Sequence, residues 1–217
     1  MEIVFDCIRI ANALARFRKQ GDRYAHGIFW RSREAHGRDA QQADGGAGEQ
    51  PATEIMRSCE GNGRDGWPCS PPLQDLVIEE QAAGSVALGV GRAGGSHWSS
   101  SFQSCEHGLR IEHACRTAQA VRHLRCCYRL ADGWQLRRVS ANRLLIQAAF
   151  ANDAPGVMEI DVRRAAVSLS SENPDADMGG ADFCLQPTPI APRLASQSGQ
   201  LRPQTILWSF DFRCQRK

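Results

Sequence analysis

Residues 85–102 read SVALGVGRAGGSHWSSSF, and the fold turns on how the middle of this stretch is taken. Gly89 to Gly94 match G-x-G-x-x-G, the spacing with which a backbone turn cradles a dinucleotide pyrophosphate. An apolar run precedes it, and Glu112 follows at about the distance, roughly 20 residues, where a ribose-binding carboxylate would stand. A pyrophosphate site also needs a helix N-terminus behind the glycines. GSHWSSSFQSCEHG is a poor helix: its serines favour caps and turns, its apolar residues lack 3.6-residue spacing, and a glycine soon ends it. Trp98 and Phe102 instead share one face with Ser96 and Ser100, as on a returning strand. Gly91 to Gly95 are therefore read as a tight turn or bulge between two strands, where Gly supplies positive φ without steric cost.

The same period of two recurs along residues 73–215. DLVIEE is a short strand candidate. In SVALGV, Val86, Leu88 and Val90 alternate with Ser85, Ala87 and Gly89. LRIEHACR sets Leu109, Ile111, His113 and Cys115 against Arg110, Glu112 and Arg116, and LRCCYRL alternates likewise. Asp132-Gly133 leads into WQLRRV, a hairpin signal. RLLIQAAF, VMEIDVR and TILWSFDF complete nine candidates with scarcely a helical pattern between them. This is the signature of a mainly β, antiparallel sandwich or barrel-like domain. Residues 164–203, with prolines at 187, 189 and 192, read as a long loop with one short strand.

The first 72 residues read differently. IVFDCIRIANALARFRK can be drawn as an amphipathic helix within residues 1–19, with Ile3, Val4, Cys7, Ile10, Ala11, Leu14 and Phe17 on one face. Residues 20–72 hold the Gly-, Ala-, Gln- and charge-rich stretch SREAHGRDAQQADGGAGEQPATE. Such composition cannot bury enough surface to offset its ordering entropy. A poorly ordered N-terminal arm in front of one β domain is the expected organisation.

Charge and length bound the function. With 26 Lys and Arg against 24 Asp and Glu in 217 residues, nothing draws the chain toward nucleic acid or an anionic membrane. No apolar run approaches the roughly 18 residues that span a bilayer. Glu2 and Asp6 stand where a signal peptide carries Lys or Arg, so a cytoplasmic location is expected. The nine cysteines include no C-x-x-C pair, and in a reducing compartment most would be free thiols.

Two sets of residues could carry chemistry. Cys105, His107, His113 and Cys115, with His97 nearby, are zinc-ligand types, and on a strand His113 and Cys115 point the same way. Their C-x-H-x5-H-x-C spacing matches no standard zinc module, and His113 and Cys115 also continue the core-facing side of Leu109 and Ile111. The second set is the turn itself, where Arg92, His97 and Trp98 would form a polar–aromatic patch. Asp175, Asp177 and Asp182 lack the ligand order of an EF-hand, and Ser99 to Ser101 lie in no nucleophile elbow.

SVALGVGRAGGSHWSSSF, LRIEHACR, CCYRL and the terminal TILWSFDF together resemble a group of uncharacterised β-rich planctomycete proteins, over about residues 70–213. The resemblance implies a β domain with that boundary and carries no activity, ligand or catalytic residue with it. The reading that follows is a non-enzymatic binding module for a protein or small-molecule partner, using Arg92, His97 and Trp98 and no cofactor. The alternative is a metal-dependent hydrolase with zinc held by His and Cys from residues 97–126.

Overall fold

The computed structural model describes residues 4–10, 13–31, 52–60, 66–82, 84–106, 108–121, 123–149, 157–163, 165–169, 181–187 and 202–214. They form strands and no helix. In chain order the strands are β1 (Val4–Ile10), β2 (Ala13–Gln20), β3 (Arg23–Arg31), β4 (Ala52–Ser58), β5 (Asp75–Gln81), β6 (Gly84–Ala93), β7 (Ser96–Cys105) and β8 (Gly108–Thr117). There follow β9 (Cys126–Leu130), β10 (Trp134–Ser140), β11 (Arg143–Ala148), β12 (Met158–Val162), β13 (Ala165–Leu169), β14 (Phe183–Pro187) and β15 (Gln204–Cys214). They make two antiparallel sheets that do not close into a barrel. One sheet has seven strands, ordered β1-β2-β3-β4-β9-β14-β13, and the other eight, ordered β10-β11-β12-β15-β8-β7-β6-β5.

The opening stretch is the β6–β7 hairpin, with Ala93 opposite Ser96 and Gly94 at φ +52° in the turn. Its register shows how the core is chosen. Trp98 and Phe102 are buried, and directly opposed residues share a face. Phe102 stands opposite Ala87 and Trp98 opposite Gly91, so small residues leave room beside each large ring. That places Leu88 and Val90 on the outer face, where they are 45% and 50% exposed. Gly91 has a second constraint: a Cβ there would sit 1.5 Å from the carbonyl oxygen of Pro72. The segment Pro72–Gln74 crosses between the sheets at this point. Leu73 O accepts from Tyr24 N (2.6 Å), and Gln74 N donates to Val90 O (2.8 Å).

Both sheets contribute to one core. Phe17, Ile28, Met56, Tyr128 and Phe183 come from the seven-stranded sheet, and Trp98, Phe102, Ile111, Trp208, Phe210 and Phe212 from the other. Phe17 meets Phe102 edge-on at 4.9 Å, and Tyr128 meets Phe212 at 6.0 Å, arrangements that suit the ring quadrupoles.

The structure corrects several expectations. The stretch drawn as an N-terminal helix forms β1 and β2, paired with Ile8 opposite Ala15. Beneath the apparent helical spacing lies a period of two, since Ala13, Ala15 and Phe17 all enter the core. Residues 20–72 contain β3 and β4, which carry Ile28, Ile55 and Met56 into that core. The Gly-rich remainder of that interval, 32–51, lies outside the described residues. Asp132-Gly133, with Gly133 at φ +83°, joins β9 to β10 across the two sheets and closes no hairpin. Both sides of β9 are already taken by β4 and β14, so β10 pairs with β11 instead. The 164–203 interval supplies two strands, β13 and β14. Among the cysteines, Cys127 and Cys184 form a disulfide, while Cys59, Cys69, Cys105, Cys115, Cys126 and Cys214 are free. No helix among the described residues is long and apolar enough to cross a membrane.

Candidate binding groove

The aromatic inner face of the eight-stranded sheet dictates its outer face. With Ser100, His113 and Trp208 turned inward, their neighbours on β7, β8 and β15 turn outward. Two cross-strand rows result. Val90, Ser99, Ala114 and Leu207 make one, and Leu88, Ser101, Glu112 and Ser209 the other. These residues line a groove of about 390 Å³, floored by the backbone of Gly89, Ser100, His113 and Trp208. All lining residues come from four adjacent strands of one sheet, so the groove is a concavity of the outer face. A volume of this order suits a small molecule. Leu207, at 58% exposed, stands beside Ala114 and adds to the apolar strip of Leu88 and Val90.

The two rims differ electrically. On one side Arg92, His97 and Arg116 form the next cross-strand row, all exposed. Neither guanidinium has a carboxylate partner among the described residues. On the other side the charges are paired: Arg110 Nε lies 3.1 Å from Asp211 Oδ1, and Arg163 Nη2 lies 2.7 Å from Asp211 Oδ2. Arg213 reaches Asp161 at 3.1 Å. Asp211 holds Arg110 above the usual arginine range, first by its hydrogen bond and then by its charge. The groove therefore presents an apolar strip with serine hydroxyls and Glu112, bordered on one side by unpaired positive charge.

Of the residues expected at the turn, Arg92 and His97 are on this rim. Trp98 is not: it is 2% exposed and meets Trp208 edge-on at 6.1 Å in the core. The expected zinc ligands do not converge. His113 and Cys115 point into the core, whereas His97 and Cys105 face outward from opposite ends of β7, roughly 27 Å apart along the strand. His107 lies outside the described residues. Among the described residues no three His, Cys, Asp or Glu side chains are grouped to hold a metal. Asp182, from the acidic loop, accepts a hydrogen bond from Leu130 N at 2.7 Å; Asp175 and Asp177 lie outside the described residues.

Ser100 Oγ and His113 Nδ1 are 2.7 Å apart, which invites comparison with a nucleophile and its base. Both are buried, and burial holds the His113 ring well below the usual histidine range, so the pair belongs to the core, with His113 Nε2 left without a hydrogen-bond partner among the described residues. Leu88, Val90, Ala114 and Leu207 were not singled out as functional from sequence. The usable signal was the row of small residues opposite two large aromatics, which fixes which face each strand buries. Compared with protein-family models, with curated proteins and with solved structures, the chain matches none.

Proposed function

We propose that this protein is a non-enzymatic binding module, and that its ligand is a small amphipathic anion held in the groove of the eight-stranded sheet. One observation carries the reading: exposed Leu88, Val90 and Leu207 line a concave strip beside two guanidinium groups without carboxylate partners among the described residues. Contiguous exposed apolar surface in a concavity is a mark of binding. The apolar body of the ligand would lie over Val90, Ala114 and Leu207, with its anionic end at Arg92, His97 and Arg116. Ser99, Ser101 and Glu112 would accept hydrogen bonds from its hydroxyl or amine groups.

The test is calorimetric titration of the full chain with decanoate and with decyltrimethylammonium, which share a tail and differ in the sign of the head. Decanoate should bind one to one and at least about tenfold more tightly, a difference of about 1.4 kcal/mol. Arg116→Glu should remove that preference, and Leu207→Asp should abolish binding of both. Equal affinity for the two heads, no binding of either, or dimerisation abolished by Leu207→Asp would overturn the assignment.

A further inference from the structure

A second feature lies on the seven-stranded sheet, on the face turned away from the aromatic core. Cys127 on β9 stands opposite Cys184 on β14 and is bonded to it. On its other side β4 pairs with β9, Ser58 opposite Tyr128. The Cys59 N–H donates to Cys127 O at 2.8 Å, continuing that register by one step. Cys59, Cys127 and Cys184 thus occupy one row across three adjacent strands, where opposed Cβ atoms sit about 4.5–5.5 Å apart. Cys59 packs against the small cluster of Cys127, Ala181 and Cys184. A free thiol and the two halves of a disulfide therefore stand in one cross-strand row, with Cys69 packed against the same cluster. Displacement at sulfur sets the attacking and leaving atoms on opposite sides of the sulfur attacked, which is the order of this row.

We infer that this row is a thiol–disulfide exchange centre, in which Cys59 Sγ displaces Cys184 Sγ from Cys127. Cys59 gives its proton to solvent, and its thiolate forms the Cys59–Cys127 bond. The Cys127–Cys184 bond breaks, and Cys184 leaves as a thiolate that takes up a proton. One disulfide and one thiol are present before and after, so no oxidant or reductant is consumed. The covalent tie moves one strand over, from β9–β14 to β4–β9, and β14 is left held to β9 by its ladder alone, together with β13, which pairs only with β14 in this sheet.

Cys69 is the competing nucleophile. Its carbonyl accepts from Cys127 N at 3.1 Å, and Arg125 Nη2 lies 3.7 Å from its sulfur. It packs against the same cluster, but only Cys59 continues the β4–β9 register, so the row assigns the attack to Cys59. Burial pushes the Cys59 thiol up to about 11; Arg129 opposes this, while Cys69, Glu60 and Asp182 add to it. Exchange should therefore be slow at pH 7 and quicken about tenfold per pH unit toward pH 9.

The experiment uses the full chain in its native buffer without added thiol. Samples held at pH 7, 8 and 9 are quenched in acid, alkylated, digested and mapped by mass spectrometry. A Cys59–Cys127 peptide pair with alkylated Cys184 should appear, faster at higher pH. It should persist in Cys69→Ser and vanish in Cys59→Ser. In Cys184→Ser, diamide should close Cys59–Cys127 in the folded protein ahead of any bond to Cys69. Exclusive recovery of Cys127–Cys184 at every pH, or a Cys69–Cys127 pair in place of the expected one, would overturn the assignment whether or not the Cys184 variant folds.

Discussion

Gly91 shows how one missing side chain positions a whole crossing. A Cβ there would collide with the carbonyl of Pro72 and come within 3.1 Å of Gln74 N, and both contacts are to backbone, which cannot swing aside. Gly91→Ala should therefore destabilise the protein by about 3 kcal/mol, as overpacking at a rigid contact does; the denaturant midpoint measures it. Gly89→Ala meets only the side chain of Leu73 and should cost less. A second prediction concerns Glu60. Burial lifts its carboxyl to about 7 against an ordinary value of 4.5, with the Ser58 hydrogen bond and Arg23 opposing. The folded state holds this proton more tightly than the unfolded chain, so its contribution is full below pH 4.5 and is lost as pH rises through 7. Glu60→Gln removes that loss, and the variant should gain about 3 kcal/mol on the parent between pH 5 and pH 8. The buried histidines act in the opposite sense. Burial takes His26 down to about 3, and His113 lies well below 6.5. Their contribution is full above pH 6.5 and is lost as pH falls. In the Glu60→Gln background, stability should drop between pH 6.5 and 4.5 by up to about 3 kcal/mol per unit for the two rings. A flat profile over that range would mean that the rings are protonated in the folded state.

At the level of elements, what sequence conveyed and what it did not divide along physical lines. β5 to β8, β12 and β15 were legible because their alternation is carried by large side chains, with TILWSFDF placing Ile206, Trp208, Phe210 and Phe212 together in the core. The face of β6 was less so: Leu88 and Val90 look like core residues until Trp98 and Phe102 claim the interior opposite Gly91 and Ala87. β1 and β2 imitate a helix because two strands paired back to back, Ile10 opposite Ala13, bring their alternating apolar residues into helical spacing across the reversal. Asp132-Gly133 marked a real turn, yet turn chemistry cannot say whether the next strand joins the same sheet. The disulfide was not legible at all, because its partners are 57 residues apart and meet only through the β9–β14 pairing. That bond should matter to β14, whose ladder with β9 spans only Phe183 to Leu185. Closing so long a loop restricts the unfolded chain by about 4 kcal/mol. Urea unfolding with and without a phosphine reductant should show a loss of that order, with β14 amides exchanging first.

For the molecule as a whole, the order of strands within the seven-stranded sheet decides what counts as a unit. β4 and β14 flank β9, so a strand from the first 60 residues and one from beyond residue 180 are joined only through the middle of the chain. The N-terminal strands also supply Phe17, Ile28, Ile55 and Met56 to the shared core, and Phe17 packs directly on Phe102 of the other sheet. A fragment of residues 70–217, the unit suggested by composition, would lose four of the seven strands and expose the core side of β9 and the aromatic face opposite. Such a fragment has the pairing to build the eight-stranded sheet but only β9, β13 and β14 to cover it, and a partly uncovered apolar sheet cannot form a unique packed state. It should melt without a cooperative transition and bind a hydrophobic dye strongly, whereas the full chain should unfold in one transition and bind little. Cooperative melting of the fragment with dispersed amide resonances would instead make β1 to β4 an appendage, and the boundary near residue 72 a real one.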